Sequence, residues 1–244
     1  VLNRQSRFAF TSLSNSVVAV VLSLFFAPQA FAAPTLDCSN EPAWRASRDP
    51  AVIGGSLSQP NLTLFGVTVP DHAMSDLASP LPAPHIADDD PACASCSDYA
   101  CYLSDDKSVA AIFYRYASWD LQGFEIVRTR DAKLPQQCIE TTIASDQFVT
   151  ASDIGIGIMP EYTAQQLGIE LVQLAIESDQ VSHELYFEKQ ILMSQKEIDQ
   201  HLRQTTMSGE PTCNDFYMTQ STFVTLTFAE NELIQYSVSY MDVW

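Results

Sequence analysis

Basic side chains are scarce. Twelve lysines and arginines stand against 30 aspartates and glutamates in 244 residues, a formal charge of −18. Nucleic acid and anionic membrane surfaces both need a positive footprint, so neither suits this chain as a partner. Catalytic signatures are missing too. There is no Gly-x-Ser-x-Gly, no Walker loop and no complete His-Glu-x-x-His. His183-Glu184 opens the last of these, but Phe187 stands where the second histidine belongs. Gly155-x-Gly157 lacks the third glycine of a dinucleotide fingerprint, and Pro160 follows it. The four histidines, His72, His85, His183 and His201, lie in separate stretches, and none has both a neighbouring nucleophile and a plausible partner acid. Asp88-Asp89-Asp90, with Asp98, Asp105 and Asp106, lacks the spacing of a calcium loop and reads as solvated acid. No cofactor and no metal is implied.

What is present is enough for a folded core. Apolar residues make up 46% and charged residues 17%, which excludes a disordered acidic tail. The length allows one large or two small domains.

Residues 1–32 read as a cleaved export signal. Arg4 and Arg7 form a positive front, Val17 to Phe26 is an apolar run, and Ala30-Phe31-Ala32 supplies small residues before the cut. Ten apolar residues fall short of the roughly 20 that a membrane-crossing helix needs. No other segment reaches that length, so no integral membrane span is expected after cleavage. The C-terminal alternation of Tyr236, Val238 and Tyr240 before Trp244 looks like a closing barrel strand, but Asp242 breaks it. The expected location is the periplasm or the medium, with a mature charge of −20.

An even set of six cysteines (Cys38, Cys93, Cys96, Cys101, Cys138 and Cys213) in an exported chain reads as up to three disulfides. Cys93-x-x-Cys96 also has redox spacing, and with Cys101 and His85 it could hold zinc. The surrounding aspartates would raise a thiol pKa rather than lower it, and no second Cys-x-x-Cys closes a metal site. Cys101 begins a strand region and Cys138 lies just past the last strand of the first half, so these two are expected to pair. Pairing among Cys38, Cys93, Cys96 and Cys213 stays open.

Residues 33–60 are irregular, rich in Pro, Ser and Gly. Beyond them lies a weak internal repeat. Residues 66–77 resemble 155–167, each a short extended run, a proline, an acid and a helical start. Thr163 with Gln166 fits a capping box, and Leu167, Leu171 and Leu174 share a helical face, which predicts a helix over 163–174. Met74, Leu77 and Leu81 do the same in the first copy. Ala110–Thr129 aligns on Thr222–Met241 without a gap, and in both the apolar residues fall two apart, the mark of a hairpin with one buried face. Tyr99–Leu103 and Glu184–Gln190 supply the first strands.

The expected fold is therefore α+β: two tandem units, each a helix on a three-stranded antiparallel sheet. The first unit spans 61–130, the linker 131–150, and the second unit 151–244. An insertion over 191–221 carries a short helix opened by the capping box Ser194–Glu197 and continued by Ile198 and Leu202.

The stretch 155–168 looks like the Gly-Met-Thr/Ser helix opening of the β-lactamase inhibitor protein and of the outer-membrane assembly lipoprotein BamE. Cys101-Tyr102-Leu103-Ser104 resembles an element of exported bacterial proteins of uncharacterised function. The resemblance implies a duplicated helix-and-meander fold that binds proteins and catalyses nothing. Aromatics crowd both sheets, and Tyr102, Tyr114, Trp119, Tyr236 and Tyr240 are candidates for an interface, where Tyr and Trp are enriched. Two functions follow. One is an exported, non-catalytic protein that binds another protein or an envelope component through its sheet face. The other is a secreted hydrolase with a site assembled from scattered His, acid and Ser residues.

Overall fold

The computed structural model describes residues 35–47, 52–78, 81–88, 97–116, 120–170, 180–204 and 209–243. Six of the described strands are short: β1 (Trp44–Ala46), β2 (Ile53–Gly54), β3 (Thr63–Leu64), β4 (Val67–Thr68), β5 (Ala87–Asp88) and β9 (Cys138–Glu140). Six are long: β6 (Ser97–Leu103), β7 (Val109–Tyr116), β8 (Gly123–Arg128), β10 (Gln180–Leu192), β11 (Tyr217–Ala229) and β12 (Glu232–Val243). Two α-helices are described, α1 (Pro160–Leu167) and α2 (Gln195–Gln204).

Ten strands form a single sheet in the order β1-β10-β11-β12-β8-β7-β6-β5, with β2 on β10 and β9 on β6, both parallel. The two long hairpins sit where the alternation of apolar residues put them. They are not separate units. β12 pairs with β8 antiparallel from Gln235↔Val127 to Ser239↔Gly123, which fuses the two meanders into one surface. The expected pair of tandem helix-on-sheet units is therefore wrong: the protein is predominantly β, built on one mixed sheet. The likeness to the β-lactamase inhibitor protein and BamE falls with it. The first half has no α-helix among the described residues; Met74–Ala78 is a short 3-10 turn. In the second half the helix starts earlier and ends sooner than 163–174. Pro160 takes the first helical position, where its missing N–H costs nothing, and Gly168 closes the helix at φ 69°. Thr163 is not a cap but an interior residue, fully buried, donating back to the Met159 carbonyl at 3.1 Å. Leu171 and Leu174 lie outside the described residues.

The reason for a single sheet is in the register. Cross-strand rows run Ala100–Phe113–Phe124–Val238–Val224–Leu185 and Tyr102–Ala111–Ile126–Tyr236–Leu226. Every residue in them is buried. Burial of both hairpins on the same side, across the seam, gives one continuous core rather than two. Leu57, Leu64, Val69, Met74, Leu77, Phe148, Ile154 and Leu167 cover it from the opposite layer. At the seam Tyr236 donates to the Asn61 carbonyl at 2.9 Å. The Asn61 side chain in turn bonds Ser58, Ser152 and the Gln166 carbonyl, so one fully buried amide ties its own segment, the loop at Ser152 and helix α1 to the sheet.

A second, smaller cluster sits at the end of the β10–β11 hairpin. Ile198 and Leu202 of α2 pack with Phe216 and Cys38, and Cys38 is bonded to Cys213. Here the capping box forms as read: Ser194 N and Oγ both donate to the Glu197 carboxylate, at 2.9 and 2.6 Å. Cys101 is bonded to Cys138, its partner in register where β9 runs beside β6. Residues 131–150, read as a linker, thus hold a strand of the sheet and the buried Phe148. Cys93 and Cys96 lie outside the described residues. Disulfides of this kind persist in oxidising compartments, so the chain folds outside the reducing cytosol. Among the described residues no helix is long and apolar enough to cross a membrane.

Candidate functional site

The main core lies on one face of the sheet; on the other, Cys101, Ala110, Val127, Ser221 and Thr227 are buried, while Glu184 is exposed and Glu125, Phe223, Thr225, Ser237 and Ser239 are partly exposed. The sheet's outward residues are the odd positions of β8 and β11, the odd positions of β12 from Gln235 onward, and the even positions of β7 and β10; a register shift beside Thr227 and Phe228 turns Leu233 inward. In strands that alternate inward and outward residues, what stands on the outer face is chosen for something other than the core.

Two features mark this face. The first is a polar ladder that crosses four strands. Ser182 Oγ meets Thr227 Oγ1 at 2.9 Å. Thr227 donates to Gln235 Oε1 at 3.1 Å, and Gln235 Nε2 donates to Glu125 Oε1 at 2.7 Å. Glu125 is half-buried, and burial raises its pKa against the lowering effect of the Gln235 bond. Its second oxygen has no partner among the described residues. The second feature is aromatic. Tyr186 packs edge-on against Phe223 with centroids 5.1 Å apart, and its hydroxyl donates to Glu184 at 2.7 Å. Tyr114 lies over Gly123 and donates to the Val238 carbonyl at 2.8 Å.

The charge of the face is one-sided. Glu125, Glu184 and Glu188 point outward, Glu188 accepting from Ser221 at 3.2 Å. The only base on the outward positions of the described strands is Arg45, at the far corner. It is stacked 3.8 Å from the Tyr217 ring and bonded to Gln190 and Asn214.

The aromatic candidates divide between the two faces. Tyr102 and Tyr236 are fully buried and belong to the core. Burial pushes the Tyr102 hydroxyl up to about 12 and raises that of Tyr236 further. Tyr114 lies on the outer face. Tyr240 is half-buried on the inner face, in the same row as Thr222 and Phe187. Trp119 lies outside the described residues. Sequence reading missed Glu125 and its ladder. The signal was there, in an acid between Phe124 and Ile126 at an outward position of a core strand.

Among the described residues no three His, Cys, Asp or Glu side chains come together as metal ligands. His72 Nδ1 accepts from the Thr68 backbone N–H at 3.1 Å, His183 packs on Phe228 and His201 on Phe216. No hydroxyl or thiol side chain bonds to any described histidine. No family of known proteins, no curated protein and no solved structure matches the chain.

Proposed function

We propose that this is an exported binding protein, non-catalytic, that holds a basic protein or envelope component on the open face of its sheet. Arg4, Arg7 and the apolar run over 17–26 supply the export signal in this reading. The observation that carries it is Glu125. A partly buried carboxylate with one oxygen unpaired among the described residues, on the face of the sheet away from the main core, costs stability in the free protein. A cation from a partner offsets that cost, and Glu184 and Glu188, three strands across on β10, add acids to the same face. Tyr186, Phe223 and Tyr114 supply the apolar contact area that such an interface needs.

The test is site-specific photo-crosslinking in the producing cell. A photoreactive residue at Thr225 or Ser237, flanking Glu125 on the open face, should give one defined adduct. The same probe at Lys133 or Glu161, away from that face, should not. Glu125→Gln should reduce the adduct at least several-fold. Adducts from the control positions alone, or yields indifferent to Glu125→Gln and to salt, would overturn the reading.

A further inference from the structure

The inner face of the sheet is not covered along its whole length. Beyond the core a cleft of about 440 Å³ opens between the ends of β10, β11 and β12 and the segment 56–71. That is the size range of small-molecule sites. Its floor follows from the register. Phe187, Thr222 and Tyr240 form one cross-strand row, and Lys189 stands opposite Gln220 in the next. Leu57 and Leu62 supply apolar wall, and Asp71 lines the side contributed by the covering segment.

Lys189 is out of place here. Period two along β10 puts Val181, His183, Leu185, Phe187, Lys189 and Ile191 on the inward side, so a lysine stands where the pattern calls for an apolar residue. Its ammonium has no ion pair and no hydrogen bond among the described residues, although the chain carries 30 acids. Asp71 lines the same cleft and is equally unpaired. Gln220 and the Thr222 hydroxyl also lack partners among the described residues, and Thr222 is 5% exposed. Charges of opposite sign that share a cleft without meeting, beside unspent donors and an apolar wall, match a ligand that carries both charges itself.

We propose that this cleft binds a small zwitterion, an amino acid or short peptide. Its carboxylate meets Lys189, Gln220 and Thr222, its ammonium faces Asp71, and its apolar side chain lies against Phe187 and Leu57. A dianion such as a phosphate is disfavoured by Asp71 and by the overall charge. This site lies on the opposite face from the proposed partner surface and is independent of it.

Three related dipeptides separate the possibilities: Leu-Leu, its N-acetylated form, which is an anion, and its C-terminal amide, which is a cation. Titrated at millimolar concentration into the ¹⁵N-labelled exported protein, Leu-Leu should shift the amides of Phe187, Lys189, Gln220 and Thr222. Lys189→Met should weaken it at least ten-fold, whereas Lys189→Arg, which keeps the charge and controls for folding, should bind within a few-fold. Asp71→Asn should abolish the preference for Leu-Leu over the acetylated form. No shifts in the cleft with Leu-Leu, equal binding of all three dipeptides, or unchanged binding by Lys189→Met would each overturn the proposal.

Discussion

Single residues carry opposing demands in this protein. Gly123 is required by space: a Cβ there would lie 2.3 Å from the Tyr114 ring and 2.4 Å from the Val238 carbonyl. The ring could swing away, but the carbonyl belongs to the seam strand. Gly123→Ala should therefore destabilise by at least about 1–3 kcal/mol in urea unfolding, and adding Tyr114→Ala should not restore it. Glu125 and His183 set the pH dependence in opposite directions. Burial raises the folded-state pKa of Glu125, so its cost is absent below the unfolded carboxyl value, about 4.3, and complete above the raised one. Glu125→Gln should therefore be more stable than the parent at pH 7, with the difference vanishing as the pH falls through that window. For His183, whose Nε2 is buried without a partner, burial lowers the pKa. Its neutral form is the folded one, so stability is lost as the pH falls below about 6.5. Denaturation midpoints from pH 4 to 8 should lose that component in His183→Leu.

At the scale of elements, the turn and the staple are the parts most open to change. β11 and β12 are joined by Glu230-Asn231, both left-handed, at φ 54° and 66°. This is the two-residue hairpin geometry that favours Asn-Gly, and Glu230 carries the larger steric cost. Replacing the pair by Asn-Gly should stabilise by about 1 kcal/mol, read as a higher denaturation midpoint at unchanged slope. Helix α2 is separate from the main core and held by the Cys38–Cys213 link across 175 residues of chain. Cys38→Ala with Cys213→Ala should raise amide exchange over 195–204 far more than in β7 or β12. Strand identity and the Ser194–Glu197 helix start were legible in the sequence, because local alternation and capping chemistry decide them. The end of α1 was not, because apolar spacing ran on past Gly168 and its left-handed stop outweighed the pattern.

For the whole molecule, sequence alternation told which residues face inward but not which strands are neighbours. Two hairpins with the same pattern can close separate cores or share one. The choice lies in the β8–β12 pairing and in the loops that cover both sides of it, such as the one pinned by Asn61. The resemblance of 155–168 to a helix opening of smaller folds rested on a local motif and carried no information about that seam. Charge acts at this scale as well. Twelve bases cannot match 30 acids, so the melting temperature should rise between low and moderate sodium chloride, as screening shortens to about 8 Å. A flat or falling curve would mean that the acids are arranged without net repulsion.

An open binding face exists only if the two meanders form one sheet. Native-state amide hydrogen exchange measures this directly, through the amides of Gly123–Val127 and Gln235–Ser239 at the seam. If the sheet is continuous, the seam amides that bond across it exchange only by global unfolding, as slowly as those inside β7 and β11, and respond to denaturant with the same slope. If they exchange through a cheaper, sub-global opening that leaves β6–β7 and β10–β11 protected, the halves are separate units and the continuous face does not exist.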